Sequence, residues 1–171
     1  HVHAWGIPYV ATMLGLKQVY PGRYEPAKLL SLIESEKVTF SHCVPTILHM
    51  LLSDPSVEKM DLSNWKVIIG GSALPPALAQ RALDLGIDVF SGYGMSETAP
   101  VLTLAQLKSE KGLPDDPDRT DIRCKAGRPV PLVDLKVVDS ELRAVPRDGA
   151  STGEVVVRSP WLTQGYLNDP D

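Results

Sequence analysis

Residues 88–98 read DVFSGYGMSET, where a short apolar run ends in Gly-Tyr-Gly and then presents two hydroxyls around a carboxylate. Tyr93 offers an aromatic face on which a purine or another flat ring can stack, and Gly92 and Gly94 leave its flanks open. Ser96 and Thr98 carry hydroxyls able to donate to phosphate oxygens, with the carboxylate of Glu97 between them. A carboxylate beside a phosphate is repelled unless a cation separates them. A phosphate site here therefore calls for magnesium, which takes hard oxygen ligands and shares them with substrate phosphates. A plainer arrangement uses the same residues. It has a strand, a Gly-Tyr-Gly turn with Tyr93 as a packing residue, and Ser96 or Thr98 as the N-cap of a helix over APVLTLAQLK, with Pro100 in its first turn. Glycine-rich turns with nearby hydroxyls are common, and local chemistry alone leans toward this plainer arrangement.

A second glycine turn, GGSALPP, follows KVII, and Gly70 and Gly71 would let a flat ligand lie against bare main chain. Other candidates are weaker. His1 and His3, two residues apart, do not share a helical face and lack a third ligand. His42 and His49 fall inside a strand pattern and a helix pattern, and Trp5 reads first as a packing anchor. The sequence has no Gly-x-Ser-x-Gly elbow, no phosphate loop ending in Gly-Lys-Ser/Thr and no Gly-x-Gly-x-x-Gly fingerprint. Those absences disfavour hydrolase, ordinary NTPase and dehydrogenase chemistry.

The elements that must position these residues follow from hydrophobic periodicity. Short β-rich runs, LKQVY at 16–20, VTFSHCV at 38–44, KVIIG at 66–70 and IDVFS at 87–91, alternate with PAKLLSLIESE, PTILHMLLS and PPALAQRALDLG, which have helical spacing. In the last of these, Leu78, Ala79, Ala82 and Leu83 share a face, Pro75 and Pro76 suit the first turn, and Gly86 suits the C-terminal cap. Strand, helix and strand in succession imply right-handed crossovers and a parallel sheet, whose ligands bind beyond the carboxyl ends of the strands. Both glycine turns fall at such ends. After the polar stretch KSEKGLPDDPDRTD, the segments LVDLKVVD and GEVVVRS alternate apolar and polar residues, with Val133, Leu135 and Val137 against Asp134 and Lys136. The expected fold class is α/β: a partial parallel-sheet subdomain over residues 1–120, then a partial antiparallel β-barrel piece over 121–171.

Bulk properties narrow the function classes. The formal charge is −4, from 17 basic and 21 acidic residues with no block of like sign, so there is no electrostatic case for a nucleic-acid partner. The longest nearly unbroken apolar run, Ala4 to Leu16, is too short to span a bilayer and is interrupted by Gly6, Pro8 and Gly15; no transmembrane segment is expected. Cys43 and Cys124 lie far apart without ligand-like spacing, which fits reduced thiols in a cytoplasmic protein. His1 opens in a segment that reads as the middle of something, so the chain is expected to be cut from a longer one.

Taken together, HVHAWG, IIGGSALP, GYGMSET and GEVVVRSPWLTQGYLNDPD, in that order, resemble the adenylate-forming superfamily over essentially the whole chain. That superfamily contains acyl-CoA synthetases, peptide-synthetase adenylation domains and luciferases, and the resemblance is strongest to medium- and long-chain fatty-acyl-CoA synthetases. It implies that Gly71 lies against adenine, that Tyr93 stacks on it with Gly92 beside, that Ser96 contacts the α-phosphate, and that Glu97 binds magnesium. Ser91 occupies a position where relatives commonly carry Gln. His1 and Trp5 would border the acyl carboxylate. The implied substrates are a fatty acid, ATP and coenzyme A, with a homodimer of the full-length protein compatible with the resemblance. The implied reaction makes an acyl-adenylate and then a thioester. The upstream phosphate loop, the downstream Thr-Gly-Asp motif and the C-terminal domain are missing from this chain, so the fragment alone is expected to be inactive. The alternatives are another carboxylic acid, aryl or amino, or a non-catalytic degenerate relative. An amino acid is disfavoured by the lack of any acidic residue from His1 to Leu16.

Overall fold

The structure is a computed structural model that describes residues 6–106 and 119–169. His1 and Trp5 lie outside the described residues. The main unit is a five-stranded sheet in the order β1 (Phe40–Cys43), β2 (Lys66–Ile69), β3 (Asp88–Gly94), β4 (Val101–Leu104), β5 (Arg128–Pro129). The first three strands are parallel, with Phe40 opposite Lys66 and Lys66 opposite Asp88; β4 and β5 join antiparallel. The expected parallel sheet is present and continues into an antiparallel edge.

The crossovers are the expected helices. Helix α3 (Pro45–Leu52) joins β1 to β2 and α4 (Pro76–Asp84) joins β2 to β3, each with proline in its first turn, where the missing N–H is no loss. Helix α4 ends at Gly86, whose φ is +81. There the Gly86 N–H donates to Leu83 O at 2.9 Å and the Ile87 N–H to Ala82 O at 3.0 Å, closing the helix in a Schellman turn. Its apolar stripe buries Ala79 and Ala82 in one core with Leu30 of α2 (Pro26–Ser35), Leu48 and Leu51 of α3, and Val67, Ile69 and Val89 of the sheet. Phe90, the next residue along β3, points to the opposite face and is also buried.

The start of β3 is held by charge. Arg123 of α5 (Arg119–Cys124), almost wholly buried, donates from Nη1 to Asp88 Oδ1 at 2.6 Å and to Val89 O at 2.9 Å, while Lys66 Nζ lies 3.2 Å from Asp88 Oδ2. Burial pushes the Asp88 carboxyl up, but Arg123 and Lys66 outweigh it and hold the group below its ordinary value.

A second, two-stranded antiparallel sheet pairs β6 (Asp134–Val138) with β7 (Glu154–Arg158). No closed barrel forms among the described residues. Helix α5, which straddles residue 120, and β5, which follows it, pack with the first sheet. Among the described residues no helix is long and apolar enough to cross a membrane.

Two local expectations fail. Residues 16–20 form no strand. They follow α1 (Ile7–Met13) without regular secondary structure, held by an ion pair of Lys17 with Glu36, by Gln18 Nε2 donating to Thr12 Oγ1 at 3.0 Å, and by the Tyr20 hydroxyl donating to Gln18 Oε1 at 2.6 Å. The segment after Pro100 is strand β4, not a helix, because antiparallel pairing with β3 satisfies its backbone.

Candidate active site

Three strand ends converge at one edge of the sheet. The Gly70 N–H donates to Cys43 O at 3.1 Å, and the register that places Ile69 opposite Ser91 runs on until a Cβ added at Gly70 would sit 3.5 Å from Gly92 O. The two glycine segments are therefore neighbours. Gly71 has φ of +82, so the backbone turns away from β2 in a conformation that only glycine adopts freely.

Gly92, Tyr93 and Gly94 are not a turn, as the sequence suggested, but the last three residues of β3. Gly92 pairs with Leu104 and Tyr93 with Thr103; the register slips between Tyr93 and Gly94, where Gly94 pairs with Val101. The slip has a visible cause in Gly94. A Cβ there would fall 1.6 Å from Pro100 O, so the main chain of the returning segment occupies the space of a side chain. Tyr93 is half-buried.

Residues Ser96–Thr98 form a single 3₁₀ turn. Thr98 locks it: its Oγ1 accepts the Met95 N–H at 2.9 Å and donates to Pro100 O at 2.7 Å, and the residue is buried. Thr98 is thus a structural clasp, not the phosphate donor the sequence allowed. Ser96 is exposed and Glu97 half-exposed on the same turn. Glu97 Oε1 accepts a hydrogen bond from the Tyr166 hydroxyl, and its main-chain oxygen accepts the Thr163 N–H at 2.9 Å. The Tyr166 bond holds the Glu97 carboxyl below its ordinary value, keeping it ionised. The main-chain N–H of Glu97 itself adds to this effect, and among the described residues no other side chain donates to the carboxylate. Ser91 is buried, and its Oγ lacks a partner among the described residues.

Gly71 directly follows Gly70, which lies beside Gly92, and Ser91, Gly92, Tyr93, Ser96 and Glu97 follow one another through the end of β3 and the 3₁₀ turn. Among the described residues no group of three or more His, Cys, Asp or Glu could enclose a metal by itself. A single ionised carboxylate beside an exposed hydroxyl would suit a magnesium ion that took its other oxygen ligands from phosphates and water. The partner of Glu97 was missed from sequence. Its one signal was the GYLNDPD motif, which carries Tyr166 69 positions downstream.

Residues 1–167 match the family described as AMP-binding enzyme. The chain belongs to that family. It is 40% identical over 174 residues to a long-chain-fatty-acid–CoA ligase of Thermus thermophilus, covering 100% of this chain and 32% of that protein. It is 34% identical to a 3-methylmercaptopropionyl-CoA ligase of Ruegeria pomeroyi, with the same coverage of both chains. Among solved structures, the N-terminal domain of FACL13 from Mycobacterium tuberculosis superposes with a TM-score of 0.84 at 28% identity, covering 99% of this chain and 41% of that one. The AMP-binding chain thus spans about a third of the length of these ligase relatives. Its fold, a mainly parallel sheet followed by a small antiparallel one, is that of an adenylate-forming N-terminal domain.

Proposed function

We propose that the chain is part of an ATP-dependent fatty-acid–CoA ligase and carries the adenine and α-phosphate half of its nucleotide site. This reading is supported by the GYGMSET segment, which ends β3 and runs into the 3₁₀ turn of Ser96 and Glu97 with Gly70 beside Gly92, in a chain 40% identical to a long-chain-fatty-acid–CoA ligase. Tyr93 stacks on adenine, with the main chain at Gly71 and Gly92 closing against the ring. The Ser96 hydroxyl donates to an α-phosphate oxygen. The Glu97 carboxylate holds magnesium, which when bound neutralises charge on the phosphates.

The fatty-acid carboxylate forms a bond to the α-phosphorus, and the bond to pyrophosphate breaks. The thiol of coenzyme A then attacks the carbonyl, and AMP leaves. The carboxylate is already a nucleophile, so no residue of this chain needs to act as a base in the first half. What the chain contributes is orientation and donors aimed where charge develops. His1 and Trp5 are proposed to border the acyl carboxylate, on the strength of the HVHAW motif. The reading includes a two-part organisation with the α/β portion leading the β-barrel piece, and a cytoplasmic setting in which Cys43 and Cys124, both free thiols, stay reduced. A second reading, in which the acid is not a fatty acid, draws on the 34% identity to the 3-methylmercaptopropionyl-CoA ligase.

The test is acid-dependent ATP–pyrophosphate exchange by the full-length protein. Fatty acids should drive exchange, and Glu97→Ala should lower it by about two orders of magnitude or more without shifting the melting temperature. Unchanged exchange in the variant would remove Glu97 from the mechanism. Exchange driven only by other acids would remove the fatty-acid assignment and leave the nucleotide site standing.

A further inference from the structure

Past β7 the chain returns to the sheet edge as a strap over residues 159–169, and two groups of that strap close on one residue of the 3₁₀ turn. The Thr163 N–H donates to Glu97 O at 2.9 Å, and the Tyr166 hydroxyl donates to Glu97 Oε1. The strap is itself folded: the Thr163 hydroxyl donates to Gly165 O at 3.1 Å, and the Asp169 N–H donates to Tyr166 O at 3.3 Å. Tyr166 is therefore presented to Glu97 from a turn already closed by its own hydrogen bonds.

We infer that Tyr166 is a positioning residue for the Glu97 carboxylate, turning Oε1 toward the strap so that Oε2 faces a cation. This rests on the assignment of Glu97 as the magnesium ligand. A half-exposed glutamate has several rotatable bonds, and holding it in one orientation otherwise costs conformational entropy at the moment of binding. A bond from the strap removes part of that freedom beforehand. The chemistry of the donor also matters. A lysine or arginine in the same place would fix the carboxylate equally well but would bring a positive charge beside the cation. A phenol supplies a hydrogen bond without that repulsion. Carboxylates that ligate metals are commonly held in this way by a neighbouring donor, and removing the donor weakens metal binding. Tyr166, which the adenine and phosphate roles leave unexplained, thereby becomes part of the nucleotide site.

The experiment is calorimetric titration of the full-length protein with ATP, in EDTA and at a series of magnesium concentrations, for wild type, Tyr166→Phe and Glu97→Gln. Tyr166→Phe should raise the magnesium concentration for half-maximal ATP binding by about tenfold. Affinity for ATP in EDTA should stay within about twofold of wild type, because the adenine contacts are untouched. Glu97→Gln should shift the magnesium dependence at least as far. If Glu97→Gln shifts it and Tyr166→Phe does not, Tyr166 has no positioning role. If Tyr166→Phe weakens ATP equally with and without magnesium, its role is structural and the inference is wrong. If neither variant moves the magnesium dependence, the assignment of Glu97 fails and takes this inference with it.

Discussion

Replacing Gly94 with alanine should damage the site far more than the same change two residues earlier, for a reason of space alone. Neither Gly92 nor Gly94 has a positive φ, so backbone strain does not distinguish them. At Gly92 the new Cβ would meet Ile68 Cγ2 at 2.9 Å and Leu104 Cδ2 at 3.2 Å, both side-chain methyl groups rather than main chain. At Gly94 it would meet Pro100 O at 1.6 Å and Pro100 C at 2.7 Å, which are main chain and cannot rotate away. Real Cβ atoms essentially never approach closer than 3.0 Å, so β3 and the returning segment must separate at Gly94. Separation breaks the pairing with Val101 and pulls Pro100 O from the Thr98 hydroxyl, now 2.7 Å away. Overpacking and the lost buried hydrogen bond together give a loss of about 3–4 kcal/mol for Gly94→Ala, against about 1 kcal/mol for Gly92→Ala. Urea unfolding of the two full-length variants, followed on the transition of this domain, measures the difference. Stabilities within about 0.5 kcal/mol of each other would refute the collision as the reason for glycine at position 94.

Asp88→Asn leaves the nearly buried Arg123 facing an uncharged partner and should cost about 1–3 kcal/mol at neutral pH, toward the lower end because part of Asp88 faces water. Since the folded-state pKa of Asp88 is depressed, its contribution is complete above the ordinary aspartate value of about 3.9 and is lost as pH falls through the lower folded value. Stability should thus fall less steeply on the acid side in Asp88→Asn than in wild type, and parallel acid profiles would contradict the ion pair. Burial pushes the Cys43 thiol up to about 12, although the Leu48 main chain lowers it slightly. At pH 8 iodoacetamide should label native Cys43 more than about a hundredfold slower than an unperturbed thiol, with full labelling after unfolding. Equal rates by mass spectrometry before and after unfolding would rule out its burial.

Much of the main unit was legible because its signals are local. Pro45 and Pro76 mark helix starts, Gly86 a helix end, and KVII and IDVF are apolar runs of strand length. What was not legible depends on partners distant in sequence. LKQVY has strand composition, but among the described residues its backbone finds no ladder. VLTL was compatible with a helix and became β4 because β3 lay open beside it, which also drew Gly-Tyr-Gly into the strand. The hydroxyls of Ser96 and Thr98 are equivalent on paper. Burial and two main-chain bonds separate them, leaving Ser96 to face solvent and Thr98 to hold the turn. The bond between Glu97 and Tyr166 spans 69 positions, and no periodicity reports it.

The central claim is that adenine lies against Tyr93 at the end of β3. Photolabelling the full-length protein with 8-azido-ATP, whose reactive group sits on the base, followed by peptide mapping, tests it most directly. Labelling on the peptide that contains Tyr93, suppressed by excess ATP, is the predicted result. ATP-protected labelling elsewhere, with the Tyr93 peptide unmodified, would contradict it.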